Sequence, residues 1–184
     1  MNTPNKLTML RIVLIVPFVA CMLMDSVPHR FLWAFAAFAA ASFTDLLDGY
    51  LARKHNLVTD FGILMDPLAD KLLVMSALVC FVSQGMIPAL VAILILGREF
   101  LVTSIRLVAA PKGRVIPADL WGKAKTVCQM VWIGYLLLVQ WSVSLGVQSA
   151  GLVLGNQLLM GATVLLTVLS GAHYISKNAD LFRG

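Results

Sequence analysis

Apolar residues run along this chain in long blocks that are separated by short polar stretches. Each block is about 20 residues long, the length that an α-helix needs to cross a lipid bilayer. Because the connections are short, we expect consecutive helices to be antiparallel neighbours in one membrane domain, residues 1–184. The pattern predicts an all-α, polytopic membrane protein, a bundle of six transmembrane helices over about Leu7–Met24, Phe31–Arg53, Ile63–Val82, Pro88–Ala110, Lys125–Leu145 and Leu152–Ile175.

The start of the third helix can be placed in two ways. Pro67 is favoured at the beginning of a helix, with Asp66 as the N-cap, but it can also lie inside a helix that begins near Gly62 and kink it. Both alternatives remain open at the level of the sequence.

Composition and charge agree with a membrane location. Hydrophobic residues make up 60% of the chain and charged residues only 12%, whereas soluble domains average about 25% charged residues. The net charge of +5 could suggest nucleic acid, but Lys and Arg cluster at alternate connections, which the positive-inside rule explains without a nucleic-acid partner. We therefore expect both termini and the Asp-rich connection to be cytoplasmic. No cleavable signal peptide is recognised, and a bacterial inner membrane is the expected location.

Four aspartates lie at the edges of two of these apolar segments. An ionised carboxylate there costs roughly 2.5–3.5 kcal/mol, so the group needs cations to offset it. Asp45 and Asp48 share one stripe of the second helix, and Asp66 and Asp70 lie one turn apart on the third. Two divalent ions would balance the four charges, and carboxylate oxygens suit Mg²⁺, Mn²⁺ or Ca²⁺ rather than Zn²⁺.

Two other interpretations of the aspartates are possible. They could form buried ion pairs with Arg53 and Lys71 that only fix helix packing. Carboxylates inside a membrane also mark ion pathways, so a divalent-cation or proton-coupled transporter is the alternative from another functional class. Beyond Asp25 and Arg30, however, the predicted outer half is nearly free of charge, and no ion path leads outward.

The aspartates belong to a longer pattern. The chain reads Asp-x-x-Asp-Gly-x-x-Ala-Arg from Asp45 to Arg53, then eight residues, then Gly-x-x-x-Asp-x-x-x-Asp from Gly62 to Asp70. Every defined position resembles the signature of the CDP-alcohol phosphatidyltransferases. The resemblance implies an enzyme in which an alcohol hydroxyl attacks the diphosphate of CDP-diacylglycerol and releases CMP.

The resemblance also implies roles for single residues. Asp45, Asp48 and Asp66 match metal-binding positions for two divalent cations, Mg²⁺ or Mn²⁺. Asp70 matches the position of the catalytic base, and we count it as a contact of the second metal too. Family members are often homodimers. The positions that accommodate the CDP moiety are matched by Gly49, Ala52, Arg53 and Gly62.

The remainder of the chain resembles the members that use sn-glycerol 3-phosphate as the acceptor, at Pro4–Arg11, Arg98–Phe100, Ser104–Arg106 and Gly122–Thr126. A phosphate on the acceptor requires a basic pocket. Inositol phosphate, serine or phosphatidylglycerol are the alternative acceptors of the same chemistry. The pocket is predicted from Arg98 and Arg106 on the fourth helix and from Lys123 and Lys125, which we expect in the connection to the fifth.

Arg98 and Arg106 have a structural alternative, which is pairing with Glu99. Arg98 is the direct neighbour of Glu99, and adjacent residues do not face each other on a helix. Arg106 lies two turns away and is expected to reach Glu99 only partly. The sequence therefore favours phosphate binding by both arginines.

Asn5, Thr8 and Arg11 are spaced by three residues and share one face of the first helix near its cytoplasmic end. All three are predicted to line the nucleotide entrance, and Asn5 and Thr8 are assigned to the CDP-lipid site. The alternative is that this face only caps and anchors the first helix.

Overall fold

The computed structural model describes residues 3–55, 60–112, 116–117 and 119–182, and within these ranges the side chains of residues 3–4, 46, 48–55, 60, 63–64, 112 and 181–182 fall outside that description. In the described ranges the regular structure is entirely helical, which confirms the all-α prediction. Two short 3₁₀ turns follow the fourth and sixth helices, at Ala110–Lys112 and Ala179–Phe182. The six α-helices of the described chain are α1 Thr3–Leu23, α2 Arg30–His55, α3 Asp60–Ser83, α4 Ala89–Ala109, α5 Leu120–Ser144 and α6 Ala150–Lys177.

The fifth helix begins earlier than predicted. Asp119 is its N-cap, since Oδ1 accepts a hydrogen bond of 2.8 Å from the Gly122 backbone N–H, and this cap starts α5 at Leu120. Lys123 and Lys125 therefore lie on the first turns of α5 and not in the connection, so their predicted position was wrong. The charged lysines led us to predict a loop for this segment. The Asp119 cap instead allows a helix to begin before them.

The two alternatives for Pro67 are resolved by α3. This helix begins at Asp60, and Pro67 lies inside it. Asp66 is therefore part of the helix body rather than its N-cap. The stripe that carries Asp66 and Asp70 is continuous with the turn that carries Gly62.

Three stretches of the described residues are long and apolar enough to cross a membrane, namely Asn5–Leu23, Leu120–Ser144 and Ala150–Lys177. Helix α4 carries Arg98, Glu99 and Arg106 within an otherwise apolar segment. The count of six spans stays a prediction.

Large apolar side chains also cover the outer surfaces of the helices. Val16 on α1 is 69% exposed and Leu107 on α4 is 72% exposed. Similar exposure occurs on every other helix, for example at Phe43, Val79, Val131 and Leu158. A monomeric soluble protein rarely exposes so much apolar surface, whereas a lipid environment accommodates it.

The chain divides into two compact units, each made of two segments, and one of the boundaries between segments falls within α5. The first unit comprises Met1–Gln84 and Gly134–Ser149. In it, α1 packs along both α2 and α3. Phe18 of α1 and Phe38 of α2 are buried, with their ring centroids 6.1 Å apart. Helix α1 thus shares its apolar core with the helices that carry the aspartates.

The second unit comprises Gly85–Ile133 and Ala150–Gly184. Helix α4 packs against α6, and Val102, Ile105 and Tyr174 form a buried cluster there. Helix α5 is joined to α6 by the fully buried Trp132, whose indole N–H donates a 3.0 Å hydrogen bond to Asn156 Oδ1. An indole N–H without a partner would be costly in this interior, so the bond fixes how α5 and α6 face each other in this unit.

Candidate active site

The described acidic residues of the signature lie in the first unit. Asp45 is on α2, with 44% of its side chain exposed, and Asp66 and Asp70 are partly buried on α3. Gly62 is buried at the first turn of α3. The side chains of Asp48, Gly49, Ala52 and Arg53 lie outside the described residues, so their predicted roles are not tested.

Helix α1 contacts two of these aspartates. Arg11 Nη1 lies 2.7 Å from Asp45 Oδ1, and the Arg11 side chain is fully buried. One turn earlier, Thr8 Oγ1 donates a 2.5 Å hydrogen bond to Asp66 Oδ1, and Thr8 is only 1% exposed. Asn5 is also buried, at 7% exposure. The polar face of α1 is therefore turned toward the acidic residues of α2 and α3.

Sequence reasoning missed the partner of Asp45. The alternative interpretation paired the aspartates with Arg53 and Lys71 and did not consider Arg11, which contacts Asp45 among the described residues. The available signal was an arginine inside the first apolar run, because a guanidinium there requires a counter-ion.

The donor set has the chemistry that a hard divalent cation requires. Asp45, Asp66 and Asp70 offer only carboxylate oxygens, the ligands that Mg²⁺ and Mn²⁺ prefer. No three His, Cys, Asp or Glu side chains within the described part of the chain are grouped as a metal site. Because Asp48 is outside that part, the predicted set of four carboxylates stays a prediction as a group.

The predicted basic residues lie in the second unit, where Glu99 joins two of them. Lys125 Nζ donates a 2.8 Å hydrogen bond to Glu99 Oε1, and Arg98 Nη1 contacts the same oxygen at 3.0 Å. Lys125 is 2% exposed and Arg98 is 11% exposed. One carboxylate oxygen therefore binds two buried cations, which makes Glu99 their shared counter-ion.

This contact corrects one argument from the sequence. We reasoned that Arg98 cannot face its neighbour Glu99 on a helix, but their charged ends are in contact. The Cβ atoms of neighbours do point in different directions. Both side chains are long and flexible, however, and the two charged groups meet beyond the helix surface.

Arg106 has a different partner. Its Nε donates a 3.0 Å hydrogen bond to the Tyr174 hydroxyl oxygen, and its guanidinium lies 5.7 Å from the centre of the Tyr174 ring. Tyr174 is 2% exposed and belongs to the apolar cluster between α4 and α6. Arg106 itself is exposed, and so is Lys123. Tyr174 therefore holds the Nε edge of the guanidinium. The two Nη atoms lie on the edge that this hydrogen bond does not use.

Two glycines allow Arg98 to pack closely against α5 and α6. A Cβ on Gly122 would lie 3.3 Å from Arg98 Nη2, and a Cβ on Gly171 would lie 3.3 Å from Arg98 Cγ. The same region holds a pair that the sequence did not indicate, since His173 Nε2 lies 3.8 Å from Asp119 Oδ2. The close contacts at these positions arise only because α4, α5 and α6 pack together in this unit.

Comparison with known proteins places these residues in a family. A family model described as CDP-alcohol phosphatidyltransferase matches residues 1–169, which is most of the chain. The chain belongs to the CDP-alcohol phosphatidyltransferase family. The family predicted from the Asp45–Asp70 signature is therefore confirmed.

Relatives within the family match over nearly the full chain. A protein of Bacillus subtilis (strain 168), named CDP-diacylglycerol–glycerol-3-phosphate 3-phosphatidyltransferase, is 42% identical over 193 aligned residues, covering 99% of this chain and 97% of the relative. A protein of Rickettsia bellii with the same name is 36% identical over 94% of this chain and 93% of its own length. A probable phosphatidylglycerophosphate synthase of Mycobacterium tuberculosis is 39% identical over 96% of this chain and 81% of its own length.

Members of the CDP-alcohol phosphatidyltransferase family are generally metal-dependent. In this member, the acidic signature is complete in the sequence, and its described carboxylates have the donor chemistry for a divalent cation. The family's requirement and the residues present in this chain therefore agree.

Proposed function

We propose that this protein transfers a phosphatidyl group from CDP-diacylglycerol to sn-glycerol 3-phosphate, giving phosphatidylglycerophosphate and CMP. The observation that carries the proposal is the relative named for this reaction, which is 42% identical over 99% of the chain. The complete Asp45–Asp70 signature supports the same reaction. The names of the relatives agree with the predicted acceptor.

The reaction requires one bond to form and one to break. The acceptor hydroxyl oxygen attacks the phosphorus on the lipid side of the diphosphate, and the bond from that phosphorus to the oxygen of CMP breaks. The hydroxyl proton must leave during the attack, and we propose that Asp70 accepts it. A carboxylate within hydrogen-bond reach of the hydroxyl can do so. CMP departs with the electron pair of the broken bond.

Asp45, Asp48, Asp66 and Asp70 would hold two divalent cations, Mg²⁺ or Mn²⁺. Such cations neutralise diphosphate oxygens and stabilise the charge that develops on departing CMP. The all-oxygen donor set supports this assignment. The contacts of Arg11 with Asp45 and of Thr8 with Asp66 support a role of α1 in this proposed site.

The CDP end of the donor lipid would bind beside these carboxylates. The positions that match the family's signature, together with the buried polar face of α1, form the proposed CDP-lipid site. Small residues in the signature permit the close approach of the ligand to the backbone. The proposed set is Gly49, Ala52, Arg53, Gly62, Asn5 and Thr8.

The acceptor phosphate would bind to the basic residues of the second unit, Arg98, Arg106, Lys123 and Lys125. These four residues carry four positive charges, and Glu99 places one negative charge beside Arg98 and Lys125. Arg106, with Nε fixed by Tyr174, can direct its Nη atoms toward two phosphate oxygens. The group is thus net positive, which suits a phosphate dianion better than an uncharged alcohol.

For the whole protein, we propose a single domain of residues 1–184 with six transmembrane helices, both termini in the cytoplasm and an active site open to the cytoplasm. The distribution of Lys and Arg supports this orientation. The bacterial relatives and the apolar helices support an inner-membrane location. A homodimer is proposed from the family resemblance alone.

The test is CMP release by the purified protein in detergent, with CDP-diacylglycerol, Mg²⁺ or Mn²⁺, and one acceptor alcohol at a time. We expect release only when both the metal and sn-glycerol 3-phosphate are present. Release with inositol phosphate, serine or phosphatidylglycerol instead would keep the chemistry and overturn the acceptor. No release with any acceptor would contradict the proposed reaction.

A further inference from the structure

Helix α1 contributes two polar side chains to the acidic residues, and each contacts a different helix. Thr8 reaches Asp66 on α3, and Arg11 reaches Asp45 on α2. The two residues are three positions apart, so they lie on one face of α1. A single helix face therefore contacts two of the proposed metal ligands.

We infer that Thr8 and Arg11 are positioning residues, which orient the carboxylates of Asp66 and Asp45 for the divalent cations. This inference rests on the proposed function, because it requires the proposed metal site. It differs from the sequence-based prediction for Thr8, since its hydroxyl proton is donated to Asp66 rather than to the nucleotide. Thr8 then acts on the CDP-lipid site through Asp66.

The burial of Arg11 supports this role. Its side chain is fully buried, whereas 44% of the Asp45 side chain is exposed. A guanidinium buried to this extent requires a counter-ion, and the Asp45 carboxylate supplies one at 2.7 Å. The contact fixes Oδ1 of Asp45. A carboxylate has about four lone-pair sites on its two oxygens, so Asp45 can pair with Arg11 and still bind a cation.

Thr8 makes a comparable contact with α3, where its hydroxyl donates to the Asp66 carboxylate. Its oxygen-to-oxygen distance of 2.5 Å is at the short limit for a hydroxyl and a carboxylate, as charge-assisted hydrogen bonds are. Thr8 is 1% exposed, so water does not compete for this bond. Partners of this kind, which contact a ligand rather than the metal, typically change metal affinity about 10- to 100-fold when they are removed.

The test is a titration of the full-length protein in detergent with Mn²⁺ alone, in which the electron paramagnetic resonance signal of free Mn²⁺ reports binding without any turnover. Two variants change Thr8: Thr8→Val removes the hydroxyl but keeps the shape, and Thr8→Ser keeps the hydroxyl. The third variant, Arg11→Lys, keeps the positive charge but removes the planar guanidinium. Thr167→Val and Arg30→Lys are the matched controls. Thr167 is as buried as Thr8 but donates within its own helix, and Arg30 pairs with Asp25.

We expect Thr8→Val and Arg11→Lys to raise the Kd for Mn²⁺ about 10- to 100-fold. Thr8→Ser and the two controls should stay within about twofold of the wild type. If Thr8 only fills space, Thr8→Ser should disturb the protein more than Thr8→Val, and neither should change the Kd. An unchanged Kd in Thr8→Val and Arg11→Lys, both eluting as the wild type does on size exclusion, overturns the inference.

Two outcomes separate this inference from the proposed function. If the wild type does not bind Mn²⁺ at all, the proposed metal site fails and the inference fails with it. If the wild type binds Mn²⁺ and the folded variants bind it equally well, only the positioning role fails. Should Arg11→Lys not fold, the comparison of Thr8→Val with Thr8→Ser decides the role of α1.

Discussion

Lys125 on α5 donates a 2.8 Å hydrogen bond to Glu99 on α4, and both residues lie in the second unit. Lys125 is 2% exposed, and the Glu99 carboxylate compensates the charge of its ammonium group. Arg98 contacts the same oxygen of Glu99. Glu99 therefore links the two helices and orders two of the cations that we assign to the acceptor phosphate.

Replacing Glu99 with Gln removes the shared counter-ion of Arg98 and Lys125. We expect Glu99→Gln to lose about 1–3 kcal/mol of stability, because two buried cations lose their charged acceptor. Thermal unfolding in detergent should show a midpoint lowered by several degrees. Asp25→Asn is the control, since Asp25 pairs with Arg30 but is 87% exposed, and it should change the midpoint little. Equal midpoints for Glu99→Gln and the wild type would contradict the role of Glu99.

Arg106 and Tyr174 are expected to act together on the acceptor. Arg106→Ala should raise the KM for sn-glycerol 3-phosphate about 10- to 100-fold, the value of a lost charge-assisted hydrogen bond. Tyr174→Phe keeps the ring under the guanidinium and removes only the hydroxyl that holds Nε, so a rise of a few fold is expected. The KM for CDP-diacylglycerol should stay constant in both variants. Tyr135→Phe on α5 is the control for loss of a tyrosine hydroxyl, and its KM for the acceptor should match that of the wild type. An unchanged KM for the acceptor in Arg106→Ala would show that Arg106 is not part of the pocket.

Asp70→Asn separates proton transfer from binding. We expect kcat to fall about 10²- to 10⁴-fold, because the amide cannot accept the hydroxyl proton. Binding of CDP-diacylglycerol, measured without an acceptor, should remain close to that of the wild type. If binding of the CDP-lipid is lost together with turnover, Asp70 acts mainly as a metal ligand and the assignment as base is wrong.

Gly171 on α6 and Gly161 on the same helix form a matched pair. A Cβ on Gly171 would lie 3.3 Å from Arg98 Cγ, whereas a Cβ on Gly161 would meet no atom within 4 Å. Gly161→Ala should stabilise the helix by about 0.5–1 kcal/mol and leave the kinetics unchanged. Gly171→Ala must displace Arg98, so it should lack this gain in stability and raise the KM for sn-glycerol 3-phosphate. The ratio of the two KM values is the measurement, and a ratio of one would show that Arg98 moves without consequence.

The sequence alone was sufficient for the helical class and the family. The approximate helix positions follow from blocks of apolar residues, whose length reflects the thickness of a bilayer. The family follows from the fixed spacing between Asp45 and Asp70, which is a property of the chain and not of its folding. Local chemistry was less reliable, since the lysines after Asp119 resembled a loop but belong to a capped helix.

Only the tertiary structure decided which polar and charged side chains contact each other. Arg11 with Asp45, Thr8 with Asp66 and Arg106 with Tyr174 are contacts between different helices. Helical periodicity gives the face on which a residue lies, but it does not give the rotation of one helix against another, nor the reach of a long side chain. The Arg98–Glu99 contact shows the second point, because two neighbours that diverge at Cβ meet at their charged ends. The packing of complementary side chains sets both the rotation of the helices and the contacts that long side chains reach. This packing exists only when the helices are assembled.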